Sequence, residues 1–447
     1  MGVHFMRKWL SIIVAILCLS LCFGTVAETA TEPAALEVEF YHADEETNFY
    51  YVSITDETFA RIYGKSFKAD CTVPREDLRY LSFLHVDLNG ETHQGEMIVN
   101  RHIAKTVLDI LYQLYQAGYP IEKAVLVDEY DADDETSMRD NNSSSFNFRF
   151  ISHTTRVSKH GLGLAIDINT LYNPYTKVVD GERIVEPATG EPYLDRTADF
   201  PYKIDHDDLA YKLFTEAGFE WGGDWTDRKD YQHFEIPTNI IALWYPESAN
   251  LGEPSPMPEN PYMVLVNKTH PVPADWEEHI VLDTAQNAWD NEVKIEHETY
   301  EAYRLLEAAC REKGVIIHLD SVYRSVEAQK ELWLRFEQQY GFVYAKNTVA
   351  TPGLSEHHTG LAVDVCLEKD GVLIDENEDM MKETELFGIV HELLPKYGFI
   401  LRYPEGKSDI TGYGPECWHF RYIGDPVVAQ EIMDKGITLE EYFGILD

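Results

Sequence analysis

One ten-residue pattern occurs twice in this chain of 447 residues. Residues 158–167 and 355–364 both have a serine, a histidine two positions on, a Gly-Leu-Ala step and a final aspartate. Downstream of each copy, an acidic residue lies three positions before a further histidine, as Asp230 before His233 and Glu416 before His419. The repeat therefore predicts that the fold brings a histidine, an aspartate and a second histidine together, and does so twice.

The spacing of the second copy is compatible with a common binding point. Residues 361–365 have strand composition, and alternation places Asp364 on the face of the small Ala362, with Leu361 and Val363 directed to the core. His357 lies seven residues before Asp364, far enough for the chain to turn back toward the same point. His419 belongs to a second predicted strand, residues 417–422.

Two histidines and an aspartate are ligands that zinc accepts, and three protein ligands leave one position of the metal open for water. We therefore predict one Zn²⁺ in each half, held by His160, Asp167 and His233 in the first and by His357, Asp364 and His419 in the second. Zinc lowers the pKa of a bound water to about 7, so a nearby carboxylate can accept its proton. Asp230 and Glu416 are the predicted catalytic bases.

Residues 1–27 have the pattern of a secretory signal, with Arg7 and Lys8 before an apolar run and small residues before Glu28. We predict a protein that is secreted or held in the cell envelope. An uncleaved membrane anchor is the alternative, although the apolar run is short for a spanning helix. A net charge of −41 repels nucleic acid and anionic lipid, so neither is a predicted partner.

The proline-rich segment 246–261 divides the remainder into two predicted domains, residues 28–245 and 262–447. Apolar periodicity predicts helices, and a short apolar run predicts a strand at residues 263–266. The helices are expected at residues 100–117, 207–217, 299–312, 326–339 and 384–397. The predicted fold class is α+β: two tandem zinc-peptidase domains, each with a small antiparallel sheet that carries the metal site and with flanking helices.

At these motifs the chain resembles the zinc D-Ala-D-Ala carboxypeptidase and L-Ala-D-Glu peptidase family, which acts on peptidoglycan stem peptides. The second half resembles the VanY-type carboxypeptidases in residues 265–268 (LVNK), 321–325 (SVYRS), 355–364, 401–404 (LRYP), 411–413 (TGY) and 416–422 (ECWHFRY). This resemblance implies the same zinc ligands and base, and it implies that Arg324 holds the substrate carboxylate or the developing oxyanion. Without the family, Arg324 is equally well a structural ion-pair partner.

The first half resembles the branch that contains L-Ala-D-Glu peptidases. The matching residues are 141–149 (NNSSSFNFR), 158–169, 171–175 (LYNPY), 221–225 (WGGDW) and 230–235 (DYQHFE). This match implies that Arg149 is the anion-binding cation of the first site. Phe148 stands where that branch often has cysteine, and Cys417 stands where the family usually has proline.

These observations predict a secreted zinc metallopeptidase of stem peptides. The second domain would release a terminal D-alanine as a D,D- or L,D-carboxypeptidase, and the first would be a related carboxypeptidase or endopeptidase. The alternative is a zinc-containing wall-binding protein in which one or both domains are inactive. Cys366 and Cys417 are predicted to flank the second site, either as a disulfide or redox-sensitive pair or as two small buried thiols. If either thiol were a fourth ligand, the zinc would be structural.

Overall fold

Both copies of the repeated pattern enter small antiparallel sheets. The computed structural model describes residues 41–44, 49–151, 154, 156–248 and 256–445. The predicted signal at residues 1–27 lies outside this part of the chain. No helix of the described residues is long and apolar enough to cross a membrane.

The strands and helices of the described residues alternate along the chain. The strands are β1 (Tyr41–Asp44), β2 (Phe49–Ser53), β3 (Leu78–Val86), β4 (Thr92–Asn100), β5 (Ala165–Asp167), β6 (Tyr175–Val179), β7 (Glu182–Glu186), β8 (Glu220–Trp221), β9 (Lys229–Asp230), β10 (His233–Glu235), β11 (Leu282–Gln286), β12 (Glu292–Glu296), β13 (Ile316–Leu319), β14 (Ala362–Lys369), β15 (Val372–Ile374), β16 (Phe399–Tyr403) and β17 (Glu416–Tyr422). The helices are α1 (Asp56–Ile62), α2 (Ala104–Gln116), α3 (Asp134–Arg139), α4 (Leu209–Glu216), α5 (Thr238–Trp244), α6 (His297–Glu312), α7 (Val326–Tyr340), α8 (Phe342–Thr348), α9 (Asn377–Met380), α10 (Thr384–Leu393), α11 (Ser408–Thr411), α12 (Pro426–Lys435) and α13 (Leu439–Phe443).

The register of two sheets sets the position of the predicted ligands. In the first half the order is β5-β10-β8, and Asp167 lies directly opposite His233. In the second half the order is β13-β14-β17-β16 with β15 beside β14, and Asp364 lies directly opposite His419. Directly opposed residues of antiparallel strands have Cβ atoms roughly 5 Å apart, so each aspartate meets its second histidine across the sheet.

A short turn presents the first histidine of each copy. His160 begins a 3-10 helix that ends at Gly163, and His357 lies in another that ends at Gly360. Both glycines have left-handed backbones, with φ of 68° and 73°. A Cβ at Gly163 would lie 2.9 Å from the backbone nitrogen of Asn100, so a larger residue is excluded by contact as well as by conformation. The repeated glycine thus turns the chain from the histidine into the strand.

The helices predicted from apolar periodicity are confirmed, with ends displaced by a few residues. They correspond to α2, α4, α6, α7 and α10, the last followed by a 3-10 turn at Leu394–Tyr397. The predicted strand at residues 263–266 is wrong. Val264 and Val266 are buried, but the Arg421 guanidinium donates to the carbonyl oxygens of Tyr262 and Val264, at 3.1 and 2.7 Å. A short apolar run does not distinguish a strand from a buried loop.

Helices α7 and α8 of the second half pack into the hydrophobic cluster of the first. Trp333, Phe342 and Ala345 are buried within that cluster. Nearby, His102 stacks on Trp244 with ring centroids 4.2 Å apart, and both donate to the Glu337 carboxylate, at 2.5 and 3.0 Å. The small antiparallel sheets and mixed helices are as predicted. Helices α7 and α8 belong to the core of the first half, and the second half has a separate hydrophobic cluster around β14 and β17. The predicted domain limits stay a prediction.

Candidate metal centres and active site

The first triad lies where a 3-10 turn meets two strands. His160 is on the turn, Asp167 ends β5 and His233 begins β10. His160 Nε2 is 3.0 Å from His233 Nδ1 and 3.2 Å from Asp167 Oδ2. The two histidines are buried and Asp167 is half-buried, and one donor atom from each lies within 4.8 Å of the others. The structure therefore brings the three predicted ligands of the first half together.

Hydrogen-bond acceptors beside the two histidines determine which ring nitrogen of each carries the proton, and so which nitrogen is free to bind a metal. His160 Nδ1 lies 2.8 Å from the Ser145 carbonyl oxygen, and His233 Nε2 lies 2.9 Å from Glu235 Oε2. A neutral imidazole that donates from one nitrogen presents a lone pair on the other. Two lone pairs and the Asp167 carboxylate thus converge, which is unfavourable without a cation between them. The donor set fits a zinc ion with both imidazoles oriented by outer hydrogen bonds.

The second triad repeats this arrangement with small differences. His357 Nε2 is 3.1 Å from Asp364 Oδ2, and His419 Nδ1 is 2.8 Å from Asp364 Oδ1. His357 Nδ1 lies 2.7 Å from the Val322 carbonyl oxygen, which again leaves Nε2 free to bind a metal. His419 Nε2 faces Glu356 Oε2 at 3.5 Å. These three predicted ligands also form a candidate metal-binding triad.

The two predicted bases share one electrostatic property. Burial raises the pKa of Glu416 to about 7, with His419 opposing the shift and Asp364 adding to it. Burial likewise raises the pKa of Asp230 to about 7, and its Oδ1 is buried with no hydrogen-bond partner among the described residues. A carboxyl group that titrates near neutrality can both accept and return a proton, although a bound cation would lower both pKa values. Glu416 Oε2 lies 3.8 Å from His419 Nδ1.

The two predicted cations have different environments. Arg324 donates to Gln329 Oε1 and Ser321 Oγ, both at 2.8 Å. Burial lowers the pKa of Arg324, and the charge of Asp364 opposes this shift. Arg324 therefore interacts electrostatically with a member of the second triad. Arg149 forms a 3.1 Å ion pair with Asp134, in which both side chains are about one-third exposed, at 36% and 34%. The structure thus places Arg324 beside the second site and gives Arg149 a carboxylate partner of its own.

A third group of possible ligands lies on the exposed turn between β3 and β4. It consists of Asp87, Glu91 and His93. Asp87 Oδ1 accepts from the backbone nitrogens of Asn89 and Glu91, both at 2.9 Å, so this carboxylate closes the turn. Local hydrogen bonding explains the group without a metal.

Two family models of D-alanyl-D-alanine carboxypeptidases match the chain around these sites. The VanY model matches residues 292–425, and a second model matches residues 152–236. The bifunctional D-Ala-D-Ala dipeptidase and D-Ala-D-Ala carboxypeptidase VanXYC of Enterococcus gallinarum is 38% identical over 188 residues, which are 41% of this chain and 93% of that protein. The chain belongs to the D-alanyl-D-alanine carboxypeptidase family.

Other members of the family cover a similar share of the chain. A D-alanyl-D-alanine carboxypeptidase of Enterococcus faecalis is 33% identical over 189 residues, which are 40% of this chain and 65% of that protein. The vancomycin-resistance D,D-pentapeptidase VanY, solved in complex with Zn(II), is 32% identical, and the match covers 41% of this chain and 99% of that one with a TM-score of 0.34. The two family models and the named relatives show that the chain is a D-alanyl-D-alanine carboxypeptidase-like metallopeptidase.

Two carboxylates of this carboxypeptidase were not identified from its sequence. Glu235 contacts His233, and Glu356 faces His419, so each would orient a ligand from outside the metal site. The sequence does contain a pattern that points to them. In both copies, the residue directly before the first histidine of the triad and the residue two positions after the last histidine have opposite charges. These pairs are Lys159 with Glu235, and Glu356 with Arg421.

The cysteines predicted to flank the second site are free thiols in the carboxypeptidase structure. The pairing of β14 with β17 ends at Asp364 and His419, and Cys366 lies opposite His318 of β13 instead. Burial raises the pKa of Cys366 to about 12 and that of Cys417 to about 11. The disulfide hypothesis is therefore not supported. The structure is nearer to the alternative of two small thiols, with Cys366 buried and Cys417 half-buried.

Proposed function

We propose that this chain is a secreted peptidase of peptidoglycan stem peptides with one zinc ion in each half, and that the second half removes a terminal D-alanine. The observation that supports this proposal most is the complete second site. It combines three converging ligands, a carboxyl group whose pKa is raised to about 7 and a cation beside them, within the segment that the VanY model matches. The relatives' printed activities on D-Ala-D-Ala are the basis for the substrate class.

In the second half, each side chain has a distinct task. Zinc, when bound, polarises the scissile carbonyl and acidifies water. Glu416 accepts the proton of the attacking water and returns it to the amine of the leaving D-alanine. Arg324, fixed by Gln329 and Ser321, binds the substrate carboxylate with its guanidinium. The bond that breaks is the last peptide bond of a D,D- or L,D-ended stem.

For the first half we propose a related carboxypeptidase or endopeptidase activity, with Asp230 as the base and Arg149 as the cation. Its triad is as complete as the second one, and the half-buried Asp230 lies beside it. A carboxyl group placed as a base beside the triad is of no use to a module that only binds the wall, which favours catalysis over the wall-binding alternative. The proposed location, outside the cytoplasmic membrane, follows from the sequence pattern of residues 1–27.

Mass spectrometry of purified muropeptides tests both assignments. We expect the zinc-loaded protein to release D-alanine, Glu416→Ala to abolish that product with at least a 100-fold loss of rate, and Asp230→Ala to leave it unchanged. Any product that survives Glu416→Ala and is lost in Asp230→Ala identifies the bond cut by the first half. Glu405→Ala, at an exposed loop position, is the matched control. Absence of all products from the zinc-loaded protein would favour the wall-binding alternative.

A further inference from the structure

A pocket of about 210 Å³ lies between the two halves of the molecule. The first half contributes Glu220, Pro237, Asn239 and Ile240, and the second contributes Lys268, Lys346, Asn347, Val349 and Tyr413, among others. Its walls follow directly after β10, which carries His233, and directly before the 3-10 turn, which carries His357. The pocket is thus built from the chain segments that adjoin both triads.

Two lysines, the exposed Lys268 and the half-buried Lys346, line this pocket without a bonded acid. Within the described chain, no carboxylate oxygen lies within the 4.0 Å ion-pair distance of either ammonium group, and neither donates a hydrogen bond to a side chain or carbonyl. The Lys346 side chain packs directly on Gly218 of the first half. A Cβ atom at position 218 would lie 2.6 Å from Lys346 Nζ. Burial and the charge of Lys268 lower the pKa of Lys346, and the charge of Glu220 opposes this shift. A bound anion would relieve both effects.

The surroundings make this pair of lysines unusual for the protein. The chain has 78 acidic residues against 37 basic ones, so two neighbouring lysines without an ion-pair partner are the exception. Glu220 also lines the pocket and its charge acts on Lys346, but within the described residues it forms no ion pair with either lysine. Asn239 and Asn347 add amide groups that can donate hydrogen bonds. Cations and amides together are the chemistry that binds a carboxylate.

The pocket is also connected to the second triad by a row of aromatic contacts. The Lys268 ammonium lies 4.8 Å from the Tyr413 ring, Tyr413 lies 5.1 Å from Tyr403, and Tyr403 lies 4.8 Å from His419. The same wall contains Ala350, whose carbonyl accepts from the Gln329 side chain that holds Arg324. The distance from lysine to triad is at most about 15 Å, which roughly four extended residues span.

We propose that Lys268 and Lys346 form a subsite for a second carboxylate of the stem peptide, upstream of the bond cut at the second triad. This rests on the proposed function. The first half supplies part of the subsite, so its packing against α8 would serve substrate binding at the second site. A stem whose internal carboxylates are free would be preferred over one in which they are amides.

Steady-state kinetics on matched peptides test the subsite. We expect Lys268→Gln and Lys346→Gln each to raise KM roughly tenfold for a stem pentapeptide with free internal carboxylates, because each removes one charge-assisted hydrogen bond. The value of kcat should be unchanged. For the same pentapeptide with internal amides, the wild type should already have the high KM, and neither variant should raise it further. Lys313→Gln, at the exposed end of α6, is the control.

The outcomes separate this proposal from the proposed function. If the wild type hydrolyses both peptides with equal KM, or the lysine variants weaken both equally, the subsite is wrong and the peptidase assignment stands. If the wild type hydrolyses neither peptide, the peptidase assignment fails. The subsite is then decided by the anisotropy of a fluorescent tetrapeptide with free carboxylates, whose affinity must fall roughly tenfold in each variant for the subsite to hold.

Discussion

The two triads have the same three candidate ligands, but the charged residues beside them are exchanged. In the first half, Lys159 precedes the first histidine and Glu235 follows the last, and they pair at 2.8 Å. In the second half, Glu356 and Arg421 occupy those positions with exchanged charges and pair at 2.7 Å. In both cases the carboxylate, whichever strand or turn it comes from, faces the last histidine. The two sites therefore share a carboxylate beside the last histidine, although this carboxylate comes from a different sequence position in each.

The surroundings of the two carboxylates differ much more than their geometry. The Lys159 ammonium also donates to the carbonyl oxygen of Ile236, and this pair is partly exposed. Glu356 is completely enclosed with Arg402 and Arg421, at 2.8 and 2.7 Å, and Arg402 donates further to Glu440. A buried network of charges requires all its members, because removal of one leaves the others desolvated and unpaired. The second site is therefore the more sensitive to change.

The largest expected effect is on stability. We expect Glu356→Gln to lower the free energy of unfolding by about 3–5 kcal/mol, because two buried guanidinium groups lose their shared carboxylate. Glu235→Gln should cost only roughly 1–2 kcal/mol, since the pair of Glu235 with Lys159 is partly exposed and water can replace the lost contact. Urea unfolding followed by tryptophan fluorescence measures both. Equal losses in the two variants would contradict the difference between the two surroundings.

Exchange of the charges in the first half tests whether the contact matters more than the position. Lys159→Glu alone places two carboxylates together, and Glu235→Arg alone places two cations together. We expect each to weaken zinc binding at the first site by roughly 100-fold, and the double variant to recover at least about tenfold, with the new glutamate in the role of Glu356. Competition with a chromogenic chelator measures the affinity. Additive losses in the double variant would show that position 235 is itself required.

Neutralisation of one carboxylate should have a smaller effect on the metal. Glu235→Gln keeps the size of the side chain but weakens the acceptor for His233 Nε2, so we expect zinc affinity at the first site to fall between about tenfold and 100-fold. Glu220→Gln is the control, because Glu220 is the exposed cross-strand neighbour of Glu235. The same chelator competition applies. A loss as large in Glu220→Gln would indicate that net charge, not the contact to His233, sets the affinity.

The repeated pattern was sufficient to predict the sheets and the meeting of each His-Asp-His triad, because both depend on local spacing. Strand alternation and the His-to-Asp interval predicted that Asp364 and His419 would meet, and the register places them opposite each other. The apolar stripes predicted α2 and α6 for the same reason. The packing of Trp333 into the core of the first half is a contact between distant segments, and no local pattern in the sequence encodes it.

The prediction of strand from residues 263–266 failed because apolar composition reports burial but not pairing. Val264 and Val266 pack against Trp276 and Leu361. The carbonyl oxygen of Val264 accepts a hydrogen bond from the buried Arg421 instead of from a neighbouring strand. The outer carboxylates were missed for a related reason. Lys159 and Glu356 occupy the same position in the two copies but have opposite charges, so a comparison of single positions shows no similarity. The similarity lies in the ion pair, because each copy has one acidic and one basic residue at these two positions.

The smallest expected effect concerns the two predicted cations. Arg324→Lys keeps the charge but loses the planar fork that Gln329 and Ser321 orient, so KM for D-alanine release should rise roughly tenfold. Arg149→Lys should change the first half's reaction by less than about threefold, because Arg149 is partly exposed and its pair with Asp134 is one that solvent screens. Kinetics on the two assigned products measure both. A tenfold effect of Arg149→Lys would show that its guanidinium leaves Asp134 when substrate binds, and the two sites would then hold their substrates in the same way.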